Sequence, residues 1–327
     1  MQHLNPAVRD WPALRIVEDA HPRVGRKYRV WPMMNFSVAI DDYIMGITHV
    51  LRGKDHIVNT ERQRFIFEHF DWKKPEYIHY GTLLTEEAVL KTSRIKEGIK
   101  RRIFIGWDDP RLGTLRALRR RGIQPGAVRR AMIEVGPKPV EVIFSWDNLY
   151  AHNKDLIDNK ANRYFFVWDP IKLIIKNFQK PKFISKIPFH PDHSERGYRV
   201  IEIKATNGQV EVYITQSDAQ TFKPGAFARL KGFCNFEIIS IGKKEVEAKF
   251  HSEPFTIAYE KGAPIIHWIP SKDLPMEVAM PDGAKKIGFC EPNCLKLKVG
   301  EIVQFERFGF ARIDRINAKI MAFYTHR

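Results

Sequence analysis

Early in the chain, apolar residues come in short blocks broken by charge. Ile47-Thr48-His49-Val50-Leu51 is one such block, and it stops on Arg52-Gly53-Lys54-Asp55. A continuous aliphatic run of this length predicts a fully buried parallel strand. Thr60-x-x-Gln63 then reads as a capping box opening a helix on which Ile66 and Phe70 share a face, with Pro75 closing it. Tyr77 to Leu84 is a second apolar stretch and a further parallel strand, in which Gly81 lets a ligand approach the backbone. Strand, helix, strand is a βαβ unit, half of a doubly wound sheet. Upstream, the Trp- and Pro-rich text before Val30 shows no sustained periodicity. Ser37 to Met45 predicts a short helix carrying Asp41-Asp42, which read as helix surface plus one partner for a nearby base.

Further along, Leu90 to Lys96 reads as a polar, basic loop. Asp109 followed by Pro110 predicts an N-cap and first helical position, ahead of an apolar stripe of Leu112, Leu115 and Leu118. Arg116, Arg120 and Arg121 occupy the other faces, and Gly122 is the stop. Pro125 to Glu134 repeats the pattern with Gly136 as its end. Beyond about Asn162 the period changes from helical to alternating. The stretches 200–204 and 209–214 flank Asn207-Gly208, a strong type I′ hairpin signal. Short strands are also expected near 226–231, 236–241, 246–250, 265–269, 302–306 and 310–313. Many short strands with Gly and Pro punctuation predict antiparallel barrels.

Composition adds three constraints. At 327 residues the chain exceeds what one core usually covers, so several domains are expected. The formal charge of +16 is uneven: between Lys91 and Arg130 there are thirteen Lys or Arg against three acidic residues, a local excess of +10. A solvated helix face would interleave the signs, so that segment favours a polyanionic, phosphate-bearing partner. The three cysteines, Cys234, Cys290 and Cys294, make neither a disulfide framework nor a four-ligand zinc site, which suggests a reduced, cytoplasmic setting. No run of 18 apolar residues occurs.

Two stretches carry candidate chemistry. Ligands in open α/β sheets bind beyond the carboxyl ends of the strands, which is where Arg52 stands. A guanidinium fork matches a carboxylate in bidentate geometry, so Arg52 is either a reader of an acidic substrate or an exposed strand-end arginine. The hydroxyls, amides and cations of the 90–96 loop suit a triphosphate.

Longer motifs fall in a recognisable order. Trp31-Pro32-Met33-Met34-Asn35-Phe36, Ala39-Ile40-Asp41-Asp42, Gly46 through His56, Gly106-Trp107-Asp108-Asp109-Pro110-Arg111 and Leu118-Arg119-Arg120-Arg121-Gly122 resemble the archaeal and eukaryotic type of glutamyl-tRNA synthetase. The resemblance continues through Val167-Trp168-Asp169-Pro170-Ile171-Lys172-Leu173, Ile266-His267-Trp268-Ile269 and Gln304-Phe305-Glu306-Arg307-Phe308-Gly309. It implies a multi-domain α/β plus all-β architecture. Residues 1–30 would end an acceptor-stem insertion, and 31–105 would be the second half of the class I nucleotide-binding fold. Residues 106–160 would form a helical connector and 161–327 two anticodon-binding β-barrels.

The resemblance also implies an activity: glutamate is activated by ATP to an adenylate, then transferred to tRNA. ATP, with Mg2+, would be a substrate, with no tightly bound cofactor and no metal site. Partners would be tRNA(Glu), with tRNA(Gln) left open, and no membrane. Arg52 falls where glutamate-specific members bind the substrate side-chain carboxylate. Trp31 falls at an aromatic position of the amino-acid pocket, or is a core tryptophan. Gly53, Gly81 and Leu83 match positions near the nucleotide. Lys91, Thr92, Ser93 and Arg94 correspond to the KMSKS loop, although Thr92 stands at the usual central lysine. Arg163, Gln304 and Arg307 match anticodon-reading positions, against a reading of Arg163 and Gln304 as ordinary strand-edge polar residues. Arg116, Arg120 and Arg121 would meet the tRNA backbone.

One family feature is missing: no HIGH-type signature occurs in the chain. The expectation is therefore a carboxyl-terminal portion whose amino-terminal half supplies those histidines. The alternative is a non-catalytic tRNA-binding protein derived from a synthetase.

Overall fold

A computed structural model describes residues 2–86 and 88–327. The chain forms two compact units. One runs up to Thr85 and takes in Met132–Phe144; the other joins Glu86–Ala131 to Ser145–Arg327.

In the first unit the strands His49–Gly53 and Glu76–Tyr80 pair in parallel, with Arg52 beside His79 and Gly53 beside Tyr80. The helix Ile57–His69 crosses between them, completing the expected βαβ unit. Ala39 of the helix Met34–Ile44 packs with Ile66 and Phe67 and with the partly buried Trp11, Phe36 and Trp72. Three local expectations change. The first strand is not fully buried: Leu51 is 57% exposed, because side chains alternate across a two-stranded ladder with one face open. Thr60 and Gln63 are no capping box. The helix begins at Ile57, so both lie inside it, where their side chains turn to Arg52 instead. The text before Val30 is also ordered, with Leu14–Ile16 pairing antiparallel to Val30–Pro32.

The second unit opens with helices Thr92–Lys100 and Leu115–Arg121. The expected 90–96 loop is thus mostly helix, since Ile95 and Gly98 turn inward and Gly98 abuts the Phe104 ring. The cap of the next helix is Thr114, whose side chain accepts from Ala117 N, and Gly122 ends it at φ +93°. Asp109, expected as that cap, is instead buried and gripped by Arg111 at 2.7 and 2.8 Å. Burial alone would raise its carboxyl; the Arg111 side chain and the Ile105 and Arg111 amides outweigh that and hold it below the usual range.

Two β-barrels follow. The first is a six-stranded sheet in the order Gln209–Thr215, Pro170–Lys176, Glu245–Ser252, Asn235–Ile241, Phe227–Leu230, Ile265–Ile266. Tyr213 of one edge strand exchanges two backbone hydrogen bonds, 2.9 and 3.0 Å, with Ile269 just past the other, so the order closes on itself. The second is seven-stranded: Arg163–Tyr164, Ile302–Phe305, Gly309–Ile316, Ile320–His326, Pro275–Ala279, Lys285–Cys290, Phe166–Trp168. Its two edge strands are separated in sequence only by Phe165, so this sheet curls until its edges nearly meet. Both barrels are mainly antiparallel, with parallel pairs such as Glu245–Ser252 on Pro170–Lys176 and Pro275–Ala279 on Ile320–His326. Each has its own core, around Leu173, Phe233 and Trp268 in the first and Phe166, Phe305 and Ile313 in the second.

The Asn207-Gly208 turn forms with both φ angles positive, as a type I′ turn requires. Its flanking strands nevertheless part. Tyr198–Lys204 pairs with Lys182–Pro188, and Gln209–Thr215 with Pro170–Lys176. Turn chemistry is local; ladder partners are chosen by the barrel. All three cysteines are buried and free. Among the described residues no helix is long and apolar enough to cross a membrane, and no group of three or more His, Cys, Asp or Glu is placed to hold a metal ion.

Candidate functional site

The carboxyl ends of the parallel strands open into a cleft of about 1460 Å³ within the first unit. Its lining includes Arg52, Gly53, Lys54, His56, Gly81, Leu83 and Lys138. Four of the sequence-derived positions, Arg52, Gly53, Gly81 and Leu83, therefore meet around one space. Trp31 does not join them. It stacks on His21, ring centroids 4.7 Å apart, in the ribbon that pairs with Leu14–Ile16.

Arg52 is half-buried and firmly held. Its Nη1 donates to Gln63 Oε1 at 2.9 Å, its Nη2 donates to Thr60 Oγ1, and its guanidinium lies 4.8 Å above the Tyr77 ring. Burial pushes its pKa below the ordinary arginine value, while Tyr77 and Asp42 oppose that. Three polar atoms of this neighbourhood are buried without a hydrogen-bond partner: Arg52 Nε, Tyr77 OH and Asp42 Oδ2. Burial raises the Asp42 carboxyl, against the pull of Arg52, and burial raises the Tyr77 hydroxyl. Buried orphan polar groups carry a penalty of about 1–3 kcal/mol each, so three of them clustered around Arg52 mark this as a polar neighbourhood next to the cleft. Sequence reasoning left Asp42 undecided and missed Tyr77, Thr60 and Gln63 as companions of Arg52. The apolar rhythm that located the strands says nothing about which helix face lies over Arg52.

Gly81 has a structural reason of its own. A Cβ there would stand 1.8 Å from the Val140 carbonyl oxygen, and Gly81 N donates to Lys138 O at 2.7 Å. The close approach expected from a ligand is thus made by the chain itself. Gly81→Ala is expected to destabilise the protein by about 1–3 kcal/mol, as overpacking does, measured by denaturant unfolding.

The remaining positions lie in the second unit. Lys91, Thr92, Ser93 and Arg94 are all exposed, at and just after the start of the Thr92–Lys100 helix. Arg116 is exposed on its helix, but its two neighbours are engaged. Arg120 bridges Asp108 and Asp314 at 3.0 and 3.1 Å. Arg121 is 2% exposed and donates to Tyr150 OH and the Thr325 carbonyl, so it cannot reach a phosphate backbone as expected. The structure places Arg163 beside Gln304 in a parallel ladder, with Arg163 Nη2 on Asp158 at 2.6 Å. Arg307, at φ +63°, makes a bidentate pair with Asp218 at 2.6 and 2.8 Å. Burial would raise the Asp218 carboxyl, but the Arg307 and Thr215 bonds hold it below the usual range.

His267 stacks on Trp168, centroids 5.5 Å apart, with Nδ1 3.4 Å from Arg307. Burial, reinforced by Arg307, pushes its pKa down to about 4. An unfolded histidine takes its proton near 6.5. Between those values the unfolded chain binds a proton that the folded chain refuses, so stability falls as pH falls. Denaturant unfolding should show about 2 kcal/mol less stability at pH 5 than at pH 7.5 from this group, a slope that His267→Gln removes.

Comparison with known proteins follows the same division. The model for the catalytic domain of tRNA synthetases class I (E and Q) matches residues 2–159, and two models for their anti-codon binding domain match 161–253 and 265–314. Glutamate–tRNA ligase of Pyrococcus abyssi is 50% identical over 332 aligned residues, covering 100% of this chain and 57% of that protein. The corresponding enzymes of Pyrococcus furiosus and Methanocaldococcus jannaschii are 49% and 48% identical, with 57% and 58% of their lengths covered. The chain thus spans little more than half the length of these curated relatives. A parallel βαβ unit with its cleft, two barrel-like sheets, and collinear matches to the catalytic and anticodon-binding models lead to one conclusion: the chain belongs to the class I tRNA synthetases of the E and Q type.

Proposed function

We propose that this chain takes part in glutamate–tRNA ligation, in which ATP activates glutamate and the glutamyl group passes to tRNA. The observation that carries this reading is Arg52, a half-buried guanidinium at the head of a cleft, gripped by neutral oxygens and beside unpartnered polar atoms. A fixed, charged fork there is suited to the side-chain carboxylate of glutamate. Relatives named glutamate–tRNA ligase at 48–50% identity support the same substrate.

In this reading ATP enters as its Mg2+ complex. Gly53, Gly81 and Leu83 line its share of the cleft. Residues 1–30 close an acceptor-stem insertion, 31–105 form half of the nucleotide-binding fold, 106–160 connect, and 161–327 read the anticodon. Arg163, Gln304 and Arg307 serve the bases of tRNA(Glu), and Arg116 its backbone. The transition-state phosphate needs the HIGH-type histidines, which an amino-terminal half provides, and the setting is cytoplasmic. Binding of tRNA should weaken roughly tenfold or more over a few-fold rise in salt, read by filter binding, as a surface neutralising several phosphates requires.

The deciding experiment is ATP-dependent glutamylation of tRNA by the purified chain with and without an amino-terminal half carrying those histidines. Activity only with both halves is the expected result. Tight, salt-sensitive tRNA binding with no glutamylation by the pair overturns the ligase reading in favour of a non-catalytic tRNA-binding protein.

A further inference from the structure

Arg52 is held unlike most well-packed arginines of this chain. Arg111, Arg120, Arg163, Arg199 and Arg307 each have a carboxylate oxygen within 3.1 Å, so their charge is neutralised in place. The Arg52 fork rests on two neutral oxygens, Gln63 Oε1 and Thr60 Oγ1, and the Asp42 charge acts on it without a hydrogen bond. Arg121 and Arg229 also lean on neutral oxygens, but at 2% and 7% exposure inside the barrel unit. Arg52 lines an open cleft and keeps its Nε–H unpartnered.

The grip is directional. Gln63 is fully buried, its Nε2 donates to Asn35 Oδ1 at 3.5 Å, and Asn35 Nδ2 donates to Asn59 Oδ1 at 3.1 Å. Every link runs the same way, so Gln63 presents its oxygen, not its NH2, to Arg52. Thr60 accepts from Arg52, and its own hydrogen has two outlets: His79 Nε2 at 2.8 Å and the His56 carbonyl at 3.4 Å. The nearer outlet requires a neutral imidazole, which burial and the adjacent Arg52 and His56 charges favour at His79.

We propose that Gln63 and Thr60 are positioning residues that aim the Arg52 fork into the cleft without cancelling its charge, and so set the preference for a carboxylate over a carboxamide at the end of the substrate side chain. The inference rests on the reading that the cleft takes glutamate. A carboxylate in place of Gln63 would hold Arg52 just as firmly, yet the pair would be neutral. An incoming carboxylate would then gain little over an amide.

Gln63→Glu is therefore the telling variant, because it keeps the shape and supplies an ion pair. With the amino-terminal half present, it should stay folded by thermal unfolding, the new ion pair offsetting the lost donation to Asn35, and raise KM for glutamate about tenfold or more, with kcat less affected. The glutamate-over-glutamine ratio should fall by a similar factor. Wild-type KM and ratio in that variant overturn the proposal. A second readout needs no turnover: arginine-selective 15N NMR of the purified chain. Slow rotation of the Arg52 Nη groups is expected, with Thr60→Val making it fast; fast rotation already in the wild type overturns the positioning role. If the wild-type pair of halves fails to glutamylate tRNA, the proposed function falls while the NMR comparison still decides whether Arg52 is positioned.

Discussion

Replacing Arg199 by alanine is expected to lower the unfolding free energy of the barrel unit by about 3–5 kcal/mol, the size seen when one partner of a buried ion pair is removed. Arg199 is fully buried. Its Nη1 donates to Glu291 Oε2 at 2.5 Å, its Nη2 donates to Glu306 Oε1, and its guanidinium lies 4.3 Å over the Phe165 ring. Glu291 also accepts from the Phe165 amide at 2.9 Å, and Glu306 from Lys231. The network thus joins the Tyr198–Lys204 strand, the closure point of the seven-stranded barrel at Phe165, and Lys231, which follows a strand of the six-stranded one.

Without the guanidinium, Glu291 is a carboxylate with no countercharge in a fully buried position. Burial already pushes its carboxyl above the usual range even with Arg199 opposing. The sign of the pH effect follows. A carboxyl whose folded pKa is raised favours the protonated folded form, so the variant's deficit is largest at neutral pH and shrinks as pH falls. Urea unfolding of wild type, Arg199→Ala and Arg199→Met with Glu291→Gln tests this. The double variant, with no buried charge left at that pair, should recover part of the loss. An Arg199→Ala protein within about 1 kcal/mol of wild type at pH 7 would show that the network contributes little to stability.

The same contrast between local and distant forces decides what could be read in the chain. The βαβ unit was legible because strand and helix periods are local. The stop on Arg52-Gly53 marks the carboxyl end of a strand, and the topological rule for open sheets then puts Arg52 at a cleft. Thr60 and Gln63 fit a capping-box pattern equally well inside a helix or at its start, and only the crossover geometry, which begins the helix at Ile57, turns them toward Arg52. The Asn207-Gly208 turn is fixed by the φ preferences of two residues, whereas the partners of its strands depend on how the barrel closes, tens of residues away. Basic clustering pointed to Arg116, Arg120 and Arg121 together; burial separates them, because a helix packed on a barrel must turn one face inward. Strands such as Lys182–Pro188, Pro275–Ala279 and Ile320–His326 went unread: the first two carry proline at an end, and what orders them is long-range pairing.

On the proposed ligase reading, Arg52→Ala is expected to lower kcat/KM for glutamate by about 2–5 kcal/mol, roughly 30- to 4000-fold, when the chain is combined with an amino-terminal half carrying the HIGH-type histidines. The substrate carboxylate would then find no guanidinium fork to receive it, and the Asp42 charge that Arg52 now offsets would repel it. Arg52→Lys should restore little. An ammonium is a point charge on a flexible stem and cannot satisfy Gln63 Oε1, Thr60 Oγ1 and a bidentate carboxylate together. The loss should be specific to the acidic substrate: use of glutamine, a neutral side chain of the same length, should fall far less, so the ratio of the two moves most. ATP–pyrophosphate exchange with each amino acid measures that ratio, and thermal unfolding confirms that the variant is folded. Equal losses for glutamate and glutamine would mean that Arg52 supports the cleft without reading the substrate. A preserved ratio in Arg52→Lys would mean that charge alone, rather than the geometry of the fork, does the selecting.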